Sequence, residues 1–137
     1  VVFFFEGEMD MKTLPYRGMS DDLERRIVYG WFTEDMGYPE IITKGGVREP
    51  VLSTTVERFT GVYDSEGKPV YVGDILLSGH TYWQVSDDMS HFSIHSIGVN
   101  WGFDMNLDAM GEEFCVIGNQ YTHNEFGEPK VSSRETA

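Results

Sequence analysis

His91 and His95 stand four residues apart, with Asp87 and Asp88 just upstream. Imidazole and carboxylate are the donors of zinc and related divalent sites, and on a strand or a helix the two histidines share a face. Two histidines alone do not make a site, and no His-Glu-x-x-His or cysteine pair completes one. The spacing predicts no metal site; a polar outer face on a half-buried strand accounts for both histidines. The acid pairs Asp87-Asp88 and Glu112-Glu113 invite comparison with the acid and base of a glycosidase. Neighbours on a strand point to opposite faces, so neither pair cooperates within itself.

Cys115 is the single cysteine, so no intrachain disulfide forms. It lies in the apolar run Phe114-Cys115-Val116-Ile117 with no base beside it, and reads as a small buried hydrophobe, not a nucleophile. No phosphate loop, Gly-x-Ser-x-Gly or dinucleotide fingerprint is present. No catalytic residue and no cofactor is therefore expected. Tyr82, Trp83, Trp101 and Phe103 are the candidate ligand-binding residues, as a stacking platform for a base or nucleotide. Filling the core of a small β domain is the competing reading of the same four side chains.

Charge narrows the partners. The 137 residues carry 10 Lys plus Arg against 23 Asp plus Glu, a net charge of −13 on 15.6 kDa. Nucleic acids are bound by releasing counterions onto Lys and Arg, so direct DNA or RNA binding is not expected. An anionic membrane surface is disfavoured on the same ground. From Pro69 to Pro129 there is no Lys or Arg, and nine acids stand in that stretch. Such a one-sign field steers basic partners. Asp87, Asp88, Asp104, Asp108, Glu112 and Glu113 are the candidate partner-binding residues.

The elements that must carry these residues are short. A chain of this length fits one domain with a sizeable core and needs no metal or disulfide to fold. Val1 to Phe5 are apolar but too few to span a bilayer, and Glu6, Glu8 and Asp10 follow where a signal peptide would lengthen its apolar run. Met11 opens a segment that reads like a natural start, so residues 1–10 are expected to be an extension or a cloning remnant, 11–126 the domain, and 127–137 a polar tail. Edge-strand character is expected for 12–17 because of Pro15. Ile27 to Thr33 is rich in β-branched and aromatic residues, and Gly30 within it signals a bulge or a close backbone approach. Gly37, Pro39, Gly45, Gly46 and Pro50 break up 34–50, leaving a short strand near 41–43, and 51–59 reads as extended.

Asp64-Ser65-Glu66-Gly67 fits a type I turn with a left-handed final residue, between Thr60–Tyr63 and Lys68–Tyr71. Short strands are expected at 75–77, 81–85, 91–99 and 114–117, with a loop or one helical turn in 104–111. Seven or eight short strands, turns every 8–12 residues and at most one or two short helices give a mainly β class. A small antiparallel barrel-like domain is expected, with a β-rich α+β fold as the alternative.

Three segments carry a resemblance. The first is Met11–Gly18 followed by Val28-Tyr29-Gly30. The second is Phe59-Thr-Gly-Val-Tyr-Asp-Ser-Glu-Gly-Lys-Pro-Val-Tyr-Val-Gly-Asp-Ile-Leu76. The third is Cys115-Val-Ile-Gly-Asn-Gln-Tyr-Thr-His-Asn124. Together they resemble the YopX family of phage and prophage proteins; residues 34–50 and 86–112 match no motif of that family. The resemblance implies a small β-rich fold of phage origin and no established activity, cofactor or catalytic residue. Its motif residues suit structure: Gly61, Gly67, Gly73 and Gly118 for backbone approach or positive φ, Asp64 and Asp74 for turns.

The expectation is a non-enzymatic phage accessory protein of the bacterial cytoplasm that acts by binding. Its acids would occupy the basic surface of a host nucleic-acid-processing or defence protein. Two alternatives stay open: a small-ligand (nucleotide) binder using the aromatics, and a structural protein that self-associates through strand edges.

Overall fold

A computed structural model describes residues 13–88, 91–98, 104–110 and 113–123. The chain divides into two compact units, Val1–Val62 and Tyr63–Ala137. Among the described residues are eleven strands and two single turns of 3-10 helix, and the class is mainly β. The strands form antiparallel sheets that do not close into a barrel.

The first unit holds β1 (Tyr16–Met19), β2 (Ile27–Asp35), β3 (Tyr38–Ile42), β4 (Arg48–Pro50), a 3-10 turn at Ser53–Thr55, and β5 (Glu57–Tyr63), which ends at the division. Their order across the sheet is β4-β3-β2-β1-β5. Residues 34–50 carry more strand than their Gly and Pro content suggests. The reason is the turn between β2 and β3: Asp35 faces Tyr38, and the two intervening residues, Met36 and Gly37, have φ of 56° and 83°. Two left-handed residues make the tight turn whose twist matches that of the flanking strands. The 51–59 segment is not extended throughout, because Ser53–Thr55 turns before β5 begins.

Val28, Ile41 and Val51 form the core of this unit, with Tyr16, Phe32 and Val56 packed against them. The Tyr16 and Phe32 rings lie 6.0 Å apart, tilted by 52°. Gly30 is where another backbone comes close: a Cβ there would run into the Ile42 carbonyl oxygen. Residues 21–26 form a polar turn without a helix. Asp22 Oδ1 accepts the N–H groups of Glu24 and Arg25 and the hydroxyl of Ser20, while Ser20 Oγ accepts the Arg26 N–H. Arg17 on β1 and Glu57 on β5 pair at 2.7 Å, both buried.

The second unit holds β6 (Pro69–Tyr71), β7 (Asp74–Ser78), β8 (Thr81–Asp87), β9 (Phe92–Ile97), β10 (Asp104–Asn106), a 3-10 turn at Leu107–Ala109, and β11 (Cys115–Asn119). Its five-stranded sheet runs β10-β9-β8-β7-β11. The expected turn at 64–67 forms, with Gly67 donating to the Asp64 carbonyl at 3.0 Å and Gly67 at φ 84°. Val70, Ile75, Leu76, Val85, Ile94 and Leu107 are buried. Strand β11 shifts register between Val116 and Gly118. At Gly118 a side chain would collide with the His123 ring and the Thr122 hydroxyl, so the 119–123 turn packs on bare backbone. The strand count exceeds the expected seven or eight because β4 and β10 are three residues each, too short to show a period.

Candidate functional site

The period of two along β8 and β9 sorts the second unit's candidate residues. Val85 lies opposite Ile94 and Trp83 opposite Ser96, while Gln84 lies opposite His95 and Ser86 opposite Ser93. Directly opposed residues share a face. Strand β10 extends the polar rows, placing Asp104 beside His95 and Asn106 beside Ser93. One face toward this edge of the sheet is therefore polar from β8 through β10.

At the end of β8 the chain turns back. The Asp88 N–H donates to the His91 carbonyl at 2.9 Å, and Asp88 Oδ2 stands 3.5 Å from His91 Nε2. Asp88, His91, Ser93, Asp104, Met105 and Asn106 line a shallow depression of about 340 Å³. Both carboxylates are exposed, and among the described residues no Lys or Arg lines the depression. Ionised carboxylates only accept hydrogen bonds, so the arrangement suits an ammonium or guanidinium donor.

The other sequence-derived candidates lie elsewhere. Asp87 faces Phe92 and has the opposite parity from Asp88. Asp108 is exposed on the 3-10 turn after β10. Glu113, also exposed, lines a second depression of about 300 Å³ with Ser65, Glu66, Leu77, Gly79, Phe114 and Cys115. Glu112, Trp101 and Phe103 lie outside the described residues, as do residues 1–10 and 127–137. Tyr82 and Trp83 are adjacent on one strand and so project to opposite faces, and Trp83 is only 9% exposed. These two do not form a common stacking platform.

Cys115 is half-buried at the rim of the second depression, not sealed in the core as its apolar run suggests. His91 and His95 are separated by about 13 Å of extended chain, too far to share an ion that each must approach to about 2 Å. Among the described residues no group of three His, Cys, Asp or Glu converges as a metal site. The sequence reading did not select Ser93, Asn106 or Glu66 as site residues. Strand parity points to the first two; only the fold brings Glu66 beside Glu113.

The YopX protein family matches residues 33–126. The chain belongs to the YopX family. The match contains the second and third motif segments, 59–76 and 115–124, and both depressions; the segment 11–30 precedes it. No curated protein is similar enough to the chain to count as a match. Among the described residues no helix is long and apolar enough to cross a membrane.

The YopX motif residues serve the fold. Asp64 Oδ1 accepts the N–H groups of Glu66 and Lys68, both at 2.8 Å, and its Oδ2 accepts that of Val116 at 2.9 Å. Asp74, almost fully buried, accepts the Tyr71 N–H at 2.8 Å. Asn119 Oδ1 accepts the N–H groups of Tyr121 and Thr122. Asp64, Asp74 and Asn119 are each occupied by backbone donors. Asp88 and Asp104, whose carboxylates are exposed, fall outside both motif segments.

Proposed function

We propose that this YopX-family chain is a non-enzymatic phage accessory protein of the host cytoplasm that binds a basic surface on a host nucleic-acid-processing or defence protein. The observation that carries the reading is that Asp88 and Asp104 both line one depression, within a stretch from Pro69 to Pro129 that lacks Lys and Arg. A host surface built for phosphates presents Lys and Arg donors. Carboxylates on the rim of the β9–β10 edge would accept those hydrogen bonds in place of phosphate oxygens. Asp87 and Asp108 add to the field without touching the depression, so they would speed encounter more than they hold the complex.

The test is a pull-down from host lysate with a salt-gradient elution, comparing the natural chain with a variant carrying Asp87→Lys, Asp88→Lys, Asp104→Lys and Asp108→Lys. A partner released by moderate salt, and lost in the variant, supports the reading. Capture that is indifferent to the four reversals refutes it.

A further inference from the structure

The first unit presents an aromatic sheet face. Tyr29, Trp31, Thr33 and Asp35 share that face of β2, and the register places Ile42 beside Trp31 and Tyr38 beside Asp35. Trp31 is 47% and Tyr38 71% exposed. Met36 and Val47, in the turns at either end, are more than half exposed. Single exposed apolar residues are ordinary, but several in neighbouring rows of one face mark an interaction surface.

Glu40, opposite Thr33, and Arg48, opposite Ile42, share this face and pair with each other at 2.9 Å, so the charges left at its two ends choose its occupant. Asp35 stands at the β2–β3 turn end, and Lys44 in the β3–β4 turn at the opposite end. Among the described residues neither is in an ion pair. A wholly basic partner would meet Lys44 as well as Asp35, and it has a better target in the acid-only stretch of the second unit. A second copy carries both signs at the same spacing. With a two-fold axis lying in the interface across the strands, Asp35 of each copy meets Lys44 of the other, and the aromatic rows pack between them. An axis along the strands would set like charges together.

We propose that the outer face of β2 and β3 pairs with the same face of a second copy, in the orientation that joins Asp35 to Lys44. The patch spans two strands, about 5 Å between their axes, and about 30 Å along β2. That is less than the roughly 800 Å² per partner of a durable interface, so the dimer is weak and reversible. Repulsion between chains of net charge −13 opposes it at low salt and is screened at physiological salt.

Sedimentation equilibrium of the full chain, over the micromolar range and at low and physiological NaCl, tests this. The expected mass climbs from 15.6 kDa toward the dimer with concentration, more so at physiological salt. Trp31→Ser with Tyr38→Ser returns it to the monomer with an unchanged circular dichroism spectrum. Asp35→Lys or Lys44→Asp alone weakens association about fivefold, because each disrupts two symmetry-related exposed pairs. The two together restore it. A monomer at every concentration overturns the proposal. So does a dimer that survives loss of both aromatics, or a double charge swap no better than the single ones. None of these readouts involves the acidic edge of the second unit.

Discussion

The Asp64 carboxylate accepts the Val116 backbone N–H at 2.9 Å, joining residues 52 apart in sequence. With its other oxygen it closes its own turn through Glu66 and Lys68. Ser65 completes the junction: its N–H donates to the Phe114 carbonyl, and its hydroxyl accepts the Phe114 N–H. A turn residue thus occupies donors of β11 that β7 does not use. This is the physical content of a motif that couples Asp-x-x-Gly to a distant Val-Ile-Gly-Asn.

Replacing Asp64 by Ala strips acceptors from three backbone donors at once. The turn donors are near solvent and find water, while Val116 loses a charge-assisted partner in a half-buried strand. A loss of about 2–3 kcal/mol is expected in urea denaturation. Asp64→Asn keeps one acceptor oxygen and should lose less. Equal losses for the two variants would show that the Val116 bond is not what matters.

The turn at 64–67 was legible because Asp and Gly impose a local geometry that few other residues allow. The Arg17–Glu57 pair was not, since it depends on β1 lying beside β5, with 40 residues between the partners. Likewise the placing of Asp104 beside His95, on the depression that Asp88 also lines, follows from the β9–β10 register, which no local signal encodes. Strand β4 ends in Pro50, which hides it from propensity. Parity, however, was available from sequence. The rule that separates Asp87 from Asp88 also separates Tyr82 from Trp83 and disposes of a shared platform.

Gly30→Ala tests the close approach in the first unit. In an ordinary strand, Ala stabilises relative to Gly by roughly 0.5–1 kcal/mol. Here the new methyl meets the Ile42 carbonyl, which is backbone and cannot swing aside. The sign should reverse, with a loss of about 1–3 kcal/mol. A melting temperature at or above that of the natural chain would contradict the β2–β3 spacing.

Asp22 predicts a pH dependence. The Arg26 guanidinium first, then the Ser20 hydroxyl, hold its carboxyl well below the usual carboxylate range, and Asp22 in turn raises the Arg26 pKa. A group whose folded pKa is depressed adds stability that is fully present above its unfolded pKa and fades as pH falls toward the folded value. Asp22→Asn should therefore lower stability at neutral pH, with the difference from the natural chain shrinking below about pH 4. The site is exposed, so the effect is small and weakens with salt. A difference that grows on acidification would reverse the assigned linkage.

The buried Arg17–Glu57 pair separates two kinds of cost. Its partners are each about 95% removed from water and joined at 2.7 Å. Glu57→Gln removes one charge from a buried ion pair, and a loss of about 3–5 kcal/mol is expected. Arg17→Met with Glu57→Leu removes both charges and keeps the volume. Because desolvating the two ions offsets much of their attraction, that double variant should be more stable than Glu57→Gln alone. The double-mutant cycle, built with the matching single changes and read by denaturant unfolding, should give a coupling of a few kcal/mol. Simple additivity would mean that Arg17 and Glu57 are satisfied by other neighbours, and that the 2.7 Å contact is incidental to the junction of β1 with β5.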